Sequence, residues 1–338
     1  MKTEIAVVLT ALITAPLFAQ SPKPAMKAIV VHEYGGLDAL KYQDTPRPEP
    51  KENQVLVKVI AAGVNPVDGL IRSGKFAKFF GTTLPLVPGY DIAGIVEKTG
   101  AKIEALKKGD AVYAYIGLEK GGGYAEYAVV TEKEAAPKPK AASFVEGAAV
   151  PVVALTAWQA LFDTAKLSAG QSVLVHGGSG GVGSFAIQFA KLRGAKVFAT
   201  ASTRNQDFLK QLGADTAIDY TMQKFEDVAK DVDVVLESVG KDTLARSYGV
   251  VKKGGILVSL IGPPDKTELD KHGIRGAALG VEPNSSELAE IANLIDQKKI
   301  KVTVSQTYPL AEAAKAEGQA DTGHTRGKIV LKVADEPK

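Results

Sequence analysis

The chain has 338 residues, 45% apolar and 23% charged, as expected for two soluble globular domains of ordinary size. A net charge of +3 with no basic run gives nucleic-acid binding no compositional support. The absence of cysteine excludes disulfides, thiolate catalysis and Cys-ligated zinc.

Residues 1–25 differ in texture from the rest of the chain. Lys2 precedes an apolar run from Ile5 to Phe18, and Ala19-Gln20 supplies a cleavage site. This three-part pattern is that of a secretory signal, too short for a stable membrane anchor, and it predicts an exported or periplasmic protein after cleavage. Glu4 in the basic region and the Met26-Lys27-Ala28 start give the other reading, a cytoplasmic chain beginning at Met26. From 26 to 149 short alternating segments are broken by glycine and proline. Val55–Ile60, Ile92–Val96, Ala111–Tyr115 (after a Gly109-Asp110 turn) and Tyr124–Val130 read as strands of a small, mostly antiparallel barrel, and Pro137 and Pro139 as a connector. From 150 to 283 strands at Ser172–Val175, Lys196–Thr200, Val232–Leu236 and Gly255–Leu260 alternate with helical patterns such as Phe208–Leu212, which predicts a parallel sheet covered on both faces. The tail, 284–334, holds a helix at Ser286–Gln297 and a short strand at Gly327–Leu331.

Strand Ser172–Val175 runs into Gly178-Ser179-Gly180-Gly181-Val182-Gly183, a G-x-G-x-x-G loop. Val182, Phe185, Ala186, Phe189 and Ala190 then recur three and four apart, one apolar helical stripe. Between a strand and an amphipathic helix this loop is a dinucleotide fingerprint. The first glycine is expected to make the tight turn and the second to let a pyrophosphate approach. The third lets helix and strand pack, with the phosphates at the positive helix end. An NAD-binding unit places an acid about 20 residues further on, against the ribose 2′-hydroxyl. Here that place holds Ala201-Ser202-Thr203-Arg204. Hydroxyls and a guanidinium suit a 2′-phosphate, so the expected cofactor is NADPH. The other reading makes Ser202, Thr203 and Arg204 a solvated loop capping the next helix.

Several further stretches resemble the zinc-independent branch of the medium-chain dehydrogenase/reductases, the quinone oxidoreductases and enone reductases. They are Val64–Asp68 (VNPVD), Val87–Gly94 (VPGYDIAG), Leu155–Leu161 (LTAWQAL), the Gly178–Gly183 loop and Gly323–Lys328 (GHTRGK). The resemblance spans Met26 to about Val333. It implies an α/β fold with a GroES-like β-barrel catalytic domain (26–149 and 284–334) and a Rossmann doubly wound parallel sheet (150–283). It also implies a cleft between the two, and a homodimer formed through the sheet edge near Ala277–Val281.

By the same resemblance Asn65 lies beside the nicotinamide, where its amide orients the ring or a substrate carbonyl; read alone it is a turn residue before Pro66. Thr156 lies against the nicotinamide, or is a helix N-terminal residue. Tyr90 and Asp91 line the cleft, or Asp91 ties together the turn after Gly89. Tyr220 joins Ser202, Thr203 and Arg204 near the phosphate, and Val239, Leu260 and Gly262 complete the cofactor contacts. Tyr90 stands where zinc-dependent members carry a ligand histidine, Gly117–Gly123 is too short for a structural zinc lobe, and His32, His176, His272 and His324 lack metal-ligand spacing, so no metal is expected. Leu70 departs from the polar residue of relatives, and the proton donor is open between Tyr127 and solvent. The expected reaction adds a hydride to a small-molecule quinone or α,β-unsaturated carbonyl, with fixed donors stabilising the developing oxyanion. The alternatives are an enoyl-thioester reductase and an NADPH-binding sensor with little catalysis.

Overall fold

The computed structural model describes residues 24–337. The predicted leader therefore lies outside the described residues, save its last two. Met26, the alternative start, is a buried residue of the first strand.

The N-terminal strands are β1 (Ala25–Val30), β2 (Lys41–Pro46), β3 (Val55–Val64), β4 (Asp91–Thr99), β5 (Ala111–Tyr115), β6 (Tyr127–Val130) and β7 (Ala135–Pro137). The middle of the chain supplies β8 (Ser172–Val175), β9 (Lys196–Ala201), β10 (Thr216–Asp219), β11 (Val232–Glu237), β12 (Val251–Ser259) and β13 (Arg275–Ala278). The tail adds β14 (Val304–Pro309) and β15 (Lys328–Lys332).

β8 to β13 form one parallel sheet in the order β10-β9-β8-β11-β12-β13, the 3-2-1-4-5-6 order of a Rossmann sheet. The second large sheet runs β14-β15-β3-β4-β5-β7, with β6 on β3. Its pairs are antiparallel apart from β14 and β15. β15 sets Ile329 opposite Val64, so the tail completes the sheet that the N-terminal part began.

Side-chain size explains how the layers meet. β3 is buried along almost its whole length, and its small residues Ala61, Ala62 and Gly63 admit the helix Phe144–Ala148. A Cβ on Gly63 would lie 2.3 Å from the Ala148 carbonyl. The helix Pro151–Trp158 is apolar all round apart from Thr156 and all eight of its residues are buried, as a helix between two domains must be. It continues as a π-helical turn, Gln159–Thr164, where the Trp158 ring meets Phe162 and Phe189 edge-on at 4.8 and 5.3 Å.

Three strand expectations need correction. The predicted Tyr124–Val130 strand begins only at Tyr127, because the Tyr124 ring turns inward under Gly89, whose Cβ would meet it at 2.3 Å. Pro137 ends β7 instead of lying in a connector. β12 starts four residues early, at Val251, which pairs with Val232.

Candidate active site and cofactor groove

β8 delivers the glycine loop to the carboxyl edge of the parallel sheet, where the order reverses between β8 and β11. Each glycine has a geometric reason. The left-handed turn falls on Gly177 (φ +65°), one residue ahead of the motif, which corrects the expected role of Gly178. Gly178 is instead a packing glycine: a Cβ there would meet Leu209 at 2.9 Å and both Ala199 and Ile187 at 3.1 Å. Gly183 lies over the turn, with its Cβ position 2.3 Å from the Gly177 carbonyl. Gly180 caps the helix Gly181–Leu192, whose first amides, including Val182, have no helical acceptors and can bind an anion.

Just before the loop, buried His176 shares hydrogen bonds with Thr200 Oγ1 and Ser247 Oγ, both 3.1 Å, and stacks edge-on against Phe225. Burial drives its pKa down to about 3, so the folded ring is neutral. The unfolded ring takes a proton below about pH 6.5, and stability is lost as pH falls from there toward 3. Urea titrations should show this as a slope of up to about 1.4 kcal/mol per pH unit, absent in His176→Gln. An unchanged slope in the variant would refute the assignment.

Beyond the ends of β10, β11 and β12 stand Tyr220, Met222, Val239 and Ile261, each more than half exposed. Such a row of uncovered apolar groups above a sheet's carboxyl edge suits a flat adenine and ribose. Glu237 fixes the segment after β11 by accepting from the amides of Val239 and Gly240 at 2.6 and 2.8 Å. Leu260 donates its amide to the Glu237 carbonyl, and Gly262 (φ +146°) follows it. This cradle fits a dinucleotide.

The Ser202–Arg204 loop also sits on this rim, with Thr203 and Arg204 exposed. Arg204 Nη2 donates to the His324 carbonyl at 2.9 Å. The acid on the rim, Asp219, accepts from Thr221 N and Oγ1 at 3.0 and 2.7 Å, while Thr221 in turn meets Thr203. Hydrogen bonds from Thr203 and Thr221 keep its carboxyl below the usual range. Arg326 was missed as a single residue, although it stands in the GHTRGK stretch. It donates to Asn205 Oδ1 and the Arg204 carbonyl, both 2.9 Å. Next to it Gly327 N donates to the Ser179 carbonyl at 2.8 Å, tying the tail to the glycine loop.

At the other end of the groove, three buried groups meet. Lys328 Nζ donates to Asn65 Oδ1 (2.5 Å), the Val64 carbonyl (2.8 Å) and Asp91 Oδ2 (3.2 Å). Asn65 Nδ2 donates to the same Asp91 oxygen at 2.9 Å, and Val152 N donates to the other at 2.7 Å. Burial pushes the Asp91 carboxyl up, and Lys328 opposes that rise. Asp91 thus does more than close the turn after Gly89: it joins β4 to the interdomain helix. Asn65 precedes the helix Pro66–Arg72 and is held there by its N–H to Asp68 Oδ2, which also accepts from Tyr124 Oη at 2.6 Å. With its oxygen on Lys328 and one N–H on Asp91, the amide keeps one N–H free. The Lys328 stem passes Gly181, where a Cβ would lie 3.1 Å from Cδ. The polar cluster therefore abuts the start of the cofactor helix.

Thr156 is a mid-helix residue, not an N-terminal one, and its hydroxyl donates to the Val152 carbonyl at 2.7 Å. Tyr90 is buried and borders a small cavity with Pro85, Val87, Glu119 and Lys120. Burial pushes its phenol far up, so it stays a donor. Tyr127 lies on β6 with the Arg47 guanidinium 3.9 Å from its ring centre, and Leu70 is half-buried on the helix Pro66–Arg72. Among the described residues no three His, Cys, Asp or Glu side chains are grouped to hold a metal, so the residues present do not fit a zinc ion.

A GroES-like sheet joined to a Rossmann sheet, with a dinucleotide groove meeting a buried polar cluster, defines a two-domain nicotinamide-dependent oxidoreductase. The comparisons narrow this. Residues 51–140 match the model "Alcohol dehydrogenase GroES-like domain" and residues 212–331 the model "Zinc-binding dehydrogenase". The chain is 42% identical to an NADPH-dependent alkenal/one oxidoreductase of Arabidopsis thaliana, over 93% of this chain and 81% of that one. It is 37% identical to the mouse quinone oxidoreductase, over 90% and 97%. The solved quinone oxidoreductase of Coxiella burnetii superposes with a TM-score of 0.86 at 36% identity, covering 92% of this chain and all of that one. The chain belongs to the medium-chain dehydrogenase/reductases, in their zinc-independent quinone and enone reductase branch.

Proposed function

We propose that the protein is an NADPH-dependent reductase of quinones and α,β-unsaturated carbonyls. The observation that carries this reading is the position of Lys328. Its stem lies against Gly181 at the cofactor helix, and its ammonium holds Asn65 and Asp91. A cofactor on the glycine loop would extend toward that cluster. When bound, it supplies the hydride. The chain's part is to hold the pyrophosphate on the helix amides and the 2′-phosphate at Ser202, Thr203, Arg204 and Tyr220. The free Asn65 N–H and the Tyr90 hydroxyl are the fixed donors for the charge that develops on the substrate oxygen. The names of the relatives support the same chemistry, and that of the plant relative supports NADPH.

A panel of quinones and enones, followed at the nicotinamide absorbance, tests this. Turnover with NADPH that survives prolonged chelation is expected. Tight NADPH binding without turnover on any member would replace the enzyme with a sensor, and turnover lost on chelation and restored by zinc would overturn the metal-free mechanism.

Two further proposals concern the whole molecule. β13 is an edge strand with an exposed face, and we infer that two copies pair there, near Ala277–Val281. The Ile5–Ala19 pattern supports export with cleavage near Gln20. N-terminal sequencing of protein from the native host should find that start, and a cytosolic chain beginning at Met26 would refute it.

A further inference from the structure

Among the described residues the exposed large apolar side chains, apart from Tyr42 and Leu192, gather in two places. One group borders the cofactor groove. The other is the turn after the helix Pro66–Arg72, reading Lys75-Phe76-Ala77-Lys78-Phe79-Phe80, where Phe79 is 81% exposed and Phe76 40%. Its three rings stack on one another, Phe79 edge-on to Phe80 at 4.9 Å and Phe76 edge-on to Phe80 at 5.9 Å. Tyr34, 38% exposed, borders them: its ring backs Gly74 and its hydroxyl donates to the Thr82 carbonyl at 3.0 Å. Lys75 and Lys78 are exposed on the same turn, and neither has a carboxylate partner among the described residues.

We propose that this turn docks the protein on an anionic lipid surface, with Phe76 and Phe79 entering the headgroup layer and Lys75 and Lys78 meeting the phosphates. Rings with an apolar body settle at the boundary between headgroups and acyl chains, and adjacent ammonium groups add attraction to anionic lipid. The charges select this occupant over a second copy of the chain. Two copies joined face to face would bring four unpaired lysines together, whereas an anionic surface neutralises them. Docking is peripheral, since no described helix is long and apolar enough to cross a membrane. Thr82, whose carbonyl holds Tyr34, also lines the small cavity that Tyr90 borders. This docking stands whether or not the proposed reaction does.

Sedimentation of the purified chain with vesicles tests it. Phosphatidylglycerol/phosphatidylcholine vesicles should carry the protein down, phosphatidylcholine alone much less, and added salt should reverse the binding. Phe79→Ser should weaken binding about tenfold or more, and Lys75→Gln and Lys78→Gln about fivefold each. All three should keep the thermal midpoint and the turnover of water-soluble substrates. Equal binding of wild type and Phe79→Ser, or no preference for the anionic vesicles, would overturn the proposal. So would a dimer in wild type that Phe79→Ser converts to monomer without any vesicle binding, since a second copy would then cover the patch.

Discussion

Lys328→Met should destabilise the fold by about 3–5 kcal/mol, the usual cost of removing one partner from a buried ion pair. Lys328 and Asp91 are almost fully buried, 4% and 0% exposed, so the variant leaves a carboxylate without water and without its cation. The loss should depend on pH with a definite sign. Without Lys328 the folded pKa of Asp91 rises further above its unfolded value of about 3.9. Stability is then fullest below that value and falls as pH rises through the raised one, so the deficit at pH 8 should exceed that at pH 5. Adding Asp91→Asn removes the orphaned charge, and the double variant should lose less than the sum of the two singles, by about 1–3 kcal/mol. Urea unfolding of the four proteins measures this. Turnover should fall beyond the stability loss, with KM for NADPH less affected, because the Asn65 amide loses the donor that fixes its orientation. A stability loss within about 0.5 kcal/mol would show that Lys328 is not holding the cluster.

Arg204→Ala should weaken NADPH by about 1.5–3 kcal/mol, the usual size for a hydrogen bond to a charged group. NADH, which lacks the 2′-phosphate, should be almost unaffected. The Arg204 side chain is exposed and turned toward the tail by the His324 carbonyl, so it meets a phosphate on the rim without first breaking an ion pair. Asp219, hydrogen-bonded by Thr221, keeps its charge on this rim, so the Arg204 cation is what offsets its repulsion of that phosphate. Titration of both cofactors into both proteins decides it: an equal wild-type affinity for NADPH and NADH, or an equal loss for both in the variant, would show that this loop does not read the phosphate.

What the sequence could show depended on distance along the chain. The strand–loop–helix unit from Ser172 to Leu192 is local, and so is the change of period that marks the parallel sheet. Within it, the tight turn expected at Gly178 falls instead on the adjacent Gly177, a shift of one residue that two neighbouring glycines permit equally. Two of the strands that went unread have no buried face to read. β2 is the polar KYQDTP and β14 the largely exposed VSQTYP, both held by their sheet partners and not by a buried face. The Asn65–Asp91–Lys328 cluster was only partly legible. Lys328 lies 263 residues from Asn65 and 237 from Asp91, and it reaches them only because β15 pairs with β3. No local pattern announces a lysine whose charge is taken up inside the fold. Arg326 was hidden in the same way, beside the loop it braces but at the far end of the chain.

Hydride delivery from a bound nicotinamide to an activated double bond is tested most directly by isotope transfer. With NADPH deuterated on the transferring face at C4 and an alkyl vinyl ketone as acceptor, mass and NMR spectra of the product should place deuterium on the β-carbon of the saturated ketone. A saturated product without deuterium, or deuterium on the carbinol carbon of an allylic alcohol, would contradict it.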